Sequence, residues 1–279
     1  MNRPRTALVL SSLLLAAACG GGDSDDDSSK EAEKPSASEA VDLVHESVDT
    51  TLAVKSMDIE SEANLEVQAQ KMSFGVDGAM DYENLIGDVT LNTQQSGQDQ
   101  QIQIVTDGDK VWFRIDGNEA AAIPGGKTWA EGDVQTLRAS ESVEPIGLAG
   151  VVIALRGAEE VEVGDSKEID GVPARQFKTT VVYADAVEAA GDDRDAFAKS
   201  FSLTGVDDAD LDIEVWIGDD GVIRDFNLDV DAHDKPVDGT YELEISDANA
   251  EVDTPEAPAA DDVLTGPEAD AWISQMMAG

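Results

Sequence analysis

One cysteine, two histidines and eighteen bases set against sixty acids are the scarcities of this 279-residue sequence. A lone cysteine rules out an internal disulfide, and zinc clusters of the CxxC…CxxC kind are absent with it. The two histidines leave little room for imidazole chemistry; His45 reads as a helix-face residue and His233 as a solvated turn residue. A net charge of −42 at pH 7 makes nucleic acid and anionic lipid headgroups poor electrostatic partners. The motif inventory is equally bare. There is no G-x-S-x-G elbow, no H-E-x-x-H, no Walker loop and no G-x-G-x-x-G after a strand, so no enzyme is indicated and no cofactor or metal is implied. Carboxylates are so dense that some pair must lie close by chance, which leaves a glycosidase-like acid pair unsupported. Asp107/Asp109, Asp207/Asp208 and Asp219/Asp220 sit with glycines, as turn residues do. Hydrophobic residues still make up 41% of the chain, enough for a globular body rather than an acidic disordered one.

The N-terminus reads as an address. Arg3 and Arg5 precede the apolar run Ala7 to Ala18, which is too short to span a membrane comfortably and has the form of a secretory signal over residues 1–18. Ala16-Ala17-Ala18-Cys19 is similar to a bacterial lipobox, in which the cysteine becomes residue one and carries acyl chains. Ordinary secretion is the alternative, because Ala16-x-Ala18 also fits a signal-peptidase site. Lipidation is preferred because the sole cysteine stands at the required place. Residues 19–38 then form an acidic tether: from Gly20 to Ser38 there is no aliphatic side chain larger than alanine, too little to offset the entropy of ordering.

The body, residues 39–252, begins with a helix. Ser36-x-x-Glu39 is a capping box, and Val41, Val44, Val48 and Leu52 follow on one stripe. From Met57 the period changes to two. Met57, Ile59, Ala63, Leu65 and Val67 alternate with Asp58, Glu60, Glu62, Asn64 and Glu66, one face apolar and the other acidic. Met72, Phe74, Val76, Val89, Ile102, Ile104 and Phe113 extend the same alternation, which predicts an antiparallel meander. The uncharged run Pro145 to Leu155 predicts a buried helix or, through its two glycines, a mobile lid. Strands return at Val161 to Val163 and Ala174 to Tyr183, followed by a helical stretch from about Ala184 to Phe201. Leu211 to Ile217, Gly218-Asp219-Asp220-Gly221 and Val222 to Val230 form the clearest hairpin, and Tyr241 to Ile245 a last strand. Residues 253–279 read as an acidic C-terminal extension with a short helix near Ala269 to Met277.

Thr50-Thr51-Leu52-Ala53-Val54-Lys55-Ser56 running straight into Met57-Asp58-Ile59, behind such a signal, resembles the LppX/LprA/LprF/LprG family of actinobacterial lipoproteins. The hairpin Ile213-Glu214-Val215-Trp216-Ile217-Gly218-Asp219-Asp220-Gly221-Val222-Ile223-Arg224 and the turn Asp107-Gly108-Asp109-Lys110-Val111-Trp112 carry the rest of the likeness. The resemblance implies an α+β fold: a strongly curved antiparallel β-sheet, or half-barrel of the LolA/LolB shape, with helices packed over the concave face. It also implies an apolar cavity for the acyl chains of an envelope lipid or glycolipid. The cavity candidates are Leu65, Val67, Phe74, Val76, Val89, Ile104 and Phe113 on strands, and Leu148, Val152 and Leu155 on the apolar run. The same residues serve equally as plain core if the helices pack tightly on the sheet. A closed core would leave another function, docking a basic partner on the acidic surface, and the acidity would also suit a salty habitat.

Overall fold

Ser36 starts α1 (Ala37–Leu52): its hydroxyl accepts the Glu39 N–H at 3.5 Å, and the Glu39 carboxylate accepts the Ser36 N–H at 2.8 Å. The capping box read from the sequence is therefore formed; the Ser36 hydroxyl also donates to the Glu39 carboxylate at 2.6 Å, and that bond first, then the Ser36 N–H, holds the Glu39 carboxyl below its ordinary pKa. The structure, a computed structural model, describes residues 34–67, 70–95, 98–117, 122–135, 148–195, 197, 208–233 and 237–277. The signal, Cys19 and the tether up to residue 33 lie outside the described residues. No described helix is long and apolar enough to cross a membrane. The buried stripe of α1 is Ala40, Val44, Ser47, Val48 and Thr51, with Val41 and Leu52 at its margins.

Twelve strands form one sheet. In chain order they are β1 (Ser56–Val67), β2 (Gln70–Asp81), β3 (Ile86–Gln95), β4 (Gln98–Asp107), β5 (Lys110–Asp116), β6 (Trp129–Asp133), β7 (Glu162–Ile169), β8 (Val172–Val182), β9 (Asp210–Gly218), β10 (Ile223–Asp231), β11 (Val237–Ser246) and β12 (Val263–Leu264). Their lateral order is β12-β6-β5-β4-β3-β2-β1-β11-β10-β9-β8-β7. Two meanders, β1 to β6 and β7 to β11, are thus joined where β1 pairs with β11, and every pairing is antiparallel except β12 with β6. The result is a curved, unclosed half-barrel with helices over its concave face.

Register assigns each side chain to a face, because residues directly opposite one another point the same way. Ile59 pairs with Ile245 and Gly78, and Ser61 with Leu243 and Val76, on the apolar face. Glu60 pairs with Glu244 and Asp77, and Glu62 with Glu242 and Gly75, on the polar face. Gly78 has φ 135°, and a Cβ there would meet the Asp88 carbonyl oxygen at 2.1 Å. Only glycine lets β2 and β3 close at this point, where the strand leaves regular geometry.

Two separate cores hold helices on the apolar face. The larger packs α1, α2 (Leu148–Ile153), the 3₁₀ turn Ala154–Gly157 and α3 (Tyr183–Ala189) on β1 and β7 to β11, around Val44, Val48, Leu155, Leu211 and Phe226. The smaller sets α4 (Pro267–Met277) on β5 and β6, where Ala269, Trp272 and Ile273 meet Val111, Phe113 and Ala130. The segment read as a C-terminal extension therefore supplies both an edge strand and a helix to the sheet.

Few bases are available to pin the helices, and Arg156 does this work at two points. It donates to Asp49 of α1 at 2.8 Å and to Asp193, just beyond α3, at 2.7 Å. His45, on the flank of α1, lies 2.9 Å from the Ala158 carbonyl oxygen. The end of α1 is tied to β10 by a buried bond: Thr51 Oγ1 accepts the Ile223 N–H at 2.9 Å. Thr51→Val keeps the shape and removes the acceptor, leaving that N–H buried and unsatisfied. The expected cost is about 1–3 kcal/mol, seen as a lower urea midpoint with an unchanged slope; an unmoved midpoint would mean that the tie contributes nothing.

Candidate functional site

The apolar face is not covered evenly. Helix α1 packs against β7 and β10, α3 against β8, and α4 against β6, and no described helix makes comparable contact with β2, β3 or β4. Between the two cores lies a seam. Met72 and Phe74 of β2, Leu91 of β3 and Ile102 of β4 belong to neither core, and Phe74 is 46% exposed although it points to the apolar side. Met72, Leu91 and Ile102 are half-buried. Leu65 and Val76 border the seam from the larger core, Ile104 and Ile115 from the smaller.

The ten cavity candidates accordingly fall into different surroundings. Phe74 stands in the seam, with Leu65, Val76 and Ile104 at its borders. Val89 is buried opposite Gly78 and Ile104. Phe113 is enclosed beneath α4, and Val152 and Leu155 are fully enclosed in the larger core. Val67 lies at the end of β1 opposite Val237, and Leu148 opens α2; the side chains of both lie outside the described residues. Sequence alternation missed Met72, Leu91 and Ile102 as a group with Phe74, although all four carried the same period-two signal.

Two phenols pack against the larger core, Tyr241 beside this region and Tyr82 beyond the far end of β2. Burial pushes the Tyr82 hydroxyl up to about 12 and that of Tyr241, on β11, likewise to about 12. Both stay protonated at any physiological pH.

The polar face carries the charge. An open hollow of about 720 Å³ spans the middle strands and is lined by Glu60, Glu62, Asp77, Asp225, Glu242 and Glu244, together with amides and without a lysine or arginine. Asp77, Glu60, Glu244 and Asp225 stand directly opposite one another across β2, β1, β11 and β10. The adjoining Asp58 carboxyl is raised by desolvation first, then by Asp77 and Asp247. Trp112 and Trp216 both lie on this face: Trp112 donates to Glu131 at 3.3 Å, and the Lys167 ammonium sits 4.1 Å from the Trp216 ring centre. Among the described residues no group of three or more histidines, cysteines or carboxylates is arranged to hold a metal ion.

No protein-family model matches the chain, and neither does any curated protein. Among solved structures, the Mycobacterium tuberculosis lipoprotein LppX is 16% identical over 79% of this chain and 100% of its own, with a TM-score of 0.44. LprF from Mycobacterium bovis is 14% identical over 78% of this chain and 97% of its own, at 0.45. The Pseudomonas aeruginosa MucA/MucB complex is 11% identical over 82% of this chain and 62% of the other, at 0.28. With scores below 0.5, the class of this protein, a twelve-stranded unclosed half-barrel, rests on its own strand order and register.

Proposed function

We propose that the protein is an envelope lipoprotein that binds the acyl chains of a lipid or glycolipid along the apolar seam and carries them without covalent chemistry. In this reading residues 1–18 are the signal, Cys19 is the lipidated anchor, 19–38 the tether, and 39–252, together with the strand and helix after residue 262, the lipid-binding body. The observation that carries it is the patch Met72, Phe74, Leu91 and Ile102, exposed or half-buried and covered by no described helix, a strip of apolar surface that a folded protein in water gains by covering. Acyl chains would be held by burial, at roughly 25 cal/mol per Å² removed from water.

Native mass spectrometry of the full chain before and after denaturation tests this. Mass that leaves on denaturation and extracts as acylated lipid supports the reading; a clean mass with no uptake of added lipid sinks it. Phe74→Asp places a charge in the seam at a position exposed enough for the fold to tolerate. Its expected effect is at least a tenfold loss of retained lipid at near-wild-type melting temperature, since burying an ionised carboxylate beside acyl chains is costly and no described residue supplies a counter-ion there.

The acidic hollow favours a second reading, the docking of a basic partner on the polar face. A partner recovered on the protein and released by about 0.5 M salt, with no lipid bound, would displace the first reading.

A further inference from the structure

Two hydroxyls interrupt the apolar face where the seam meets the larger core. Tyr241 stands opposite Ala63 in the register, and Ala63 opposite Phe74. Neighbouring strands lie about 4.8 Å apart, so in that row only the small Ala63 separates Tyr241 from the exposed Phe74. The Tyr241 ring packs edge-on to Phe226, with ring centres 6.3 Å apart. Its hydroxyl oxygen is buried and, among the described residues, has no hydrogen-bond partner. Ser61, in the next row of β1 and nearly enclosed, faces the same side. Its hydroxyl hydrogen-bonds weakly toward the phenol, opposing the upward push of burial, but the contact falls short of a well-formed bond. A phenylalanine would fill the same space without the penalty of an unsatisfied buried hydroxyl. The charged groups nearby are committed elsewhere. Lys71 lies on the polar face opposite Glu66, and Arg224 is held by Asp220. A carboxylate or phosphate entering this region would find no counter-ion among the described residues and would face the field of sixty acids.

We propose that the Tyr241 hydroxyl, with Ser61 beside it, is the donor that seats the first polar group of the lipid, an uncharged acyl-ester carbonyl, at the border of the seam. This rests on the lipid-binding reading above and gives it a specificity-determining residue: the acyl chains lie along Phe74, Leu91 and Ile102, and the ester stops at Tyr241.

The test compares a diacylglycerol labelled on one acyl chain with its dialkyl-ether analogue, which has the same chains and no carbonyls, on the full protein and on Tyr241→Phe. The wild type is expected to hold the ester about fivefold more tightly, the scale of one hydrogen bond. Tyr241→Phe should bind both at the ether's affinity, with a melting temperature no lower than the wild type's because the deleted hydroxyl was unpaired. Ser61→Ala should weaken the same preference to a smaller extent. Equal wild-type affinity for ester and ether, an ester preference that survives Tyr241→Phe, or an equal loss of both ligands in that variant would each overturn the assignment while leaving lipid binding in place. Failure of the wild type to bind either ligand would overturn the lipid reading and this assignment with it.

Discussion

A chain ended at Pro255 is expected to lose the fold of its β4 to β6 end. The truncation removes Leu264, Ala269, Trp272 and Ile273, all buried against Val111, Phe113 and Ala130. At about 1.5–3 kcal/mol for each large apolar side chain taken out of water, the loss is on the order of 5 kcal/mol, comparable with the whole stability of many domains. It also strips the parallel strand from Trp129 and Ala130 and leaves β6 as a bare edge. Circular dichroism melts and dye binding to exposed apolar surface should report an early transition or aggregation. Full retention of the wild-type melt would mean that α4 is an accessory rather than part of the core. Ile273 is the sharpest contact: a Cβ built on Gly132 would meet its Cδ1 at 2.9 Å, so Gly132→Ala probes the same packing with less damage.

The second expected result is a protein that grows more stable as salt is added and as pH falls through the raised pKa of Asp58. Asp77, Glu60, Glu244 and Asp225 form three like-charged neighbouring pairs in one row. Each such pair costs roughly 0.2–1 kcal/mol, so screening this row alone restores about 1–3 kcal/mol, or roughly 2–10 °C in melting temperature at this size. The sign follows from the shifts. Asp58 has its pKa raised in the fold, so its ionised form opposes folding and the penalty vanishes as pH falls through that raised value. Glu214 is lowered by the Lys178 hydrogen bond first, and Glu39 by Ser36; their support is complete above the ordinary glutamate range and is lost as pH falls through their depressed values. Stability should therefore rise to a maximum on the mildly acidic side and decline in stronger acid. A melting temperature that is flat between low salt and 1 M sodium chloride would show that the acidic face imposes no load.

Much of this fold is legible in the sequence where one face is wet. β1 to β4 and the β9–β10 hairpin alternate cleanly because their polar sides meet water, and the register confirms the faces that the alternation indicates. β7 is harder to read. As an edge strand with exposed Ser166, Lys167 and Glu168 and a shift in register after Val163, it shows almost no apolar period, and only the Asp170-Gly171 turn (φ 51° and 78°) betrays the β7–β8 hairpin. β12 cannot be read locally at all: two residues carry no pattern, and its partner Trp129 is remote in sequence. The same limit governs the candidate site. Alternation says that Phe74 and Phe113 face the same side, but whether a helix lies over them depends on contacts from residues around 150 and 270, which no local pattern encodes.

The pairing of β1 with β11 has a consequence for the order in which the chain can form. Every other antiparallel neighbour is the next strand along, so both meanders close as soon as their turns exist; β1, the longest such edge, must wait for a partner made far later, as β6 must for the two residues of β12. At ordinary synthesis rates that wait is roughly ten to thirty-five seconds, and throughout it one long edge of β1 offers unpaired N–H and C=O groups to any passing chain. Glu60, Glu62 and Glu66, which burden the finished sheet with repulsion, stand along that edge. In the nascent chain they repel other copies of it, so the residues that cost stability at the end guard solubility at the beginning.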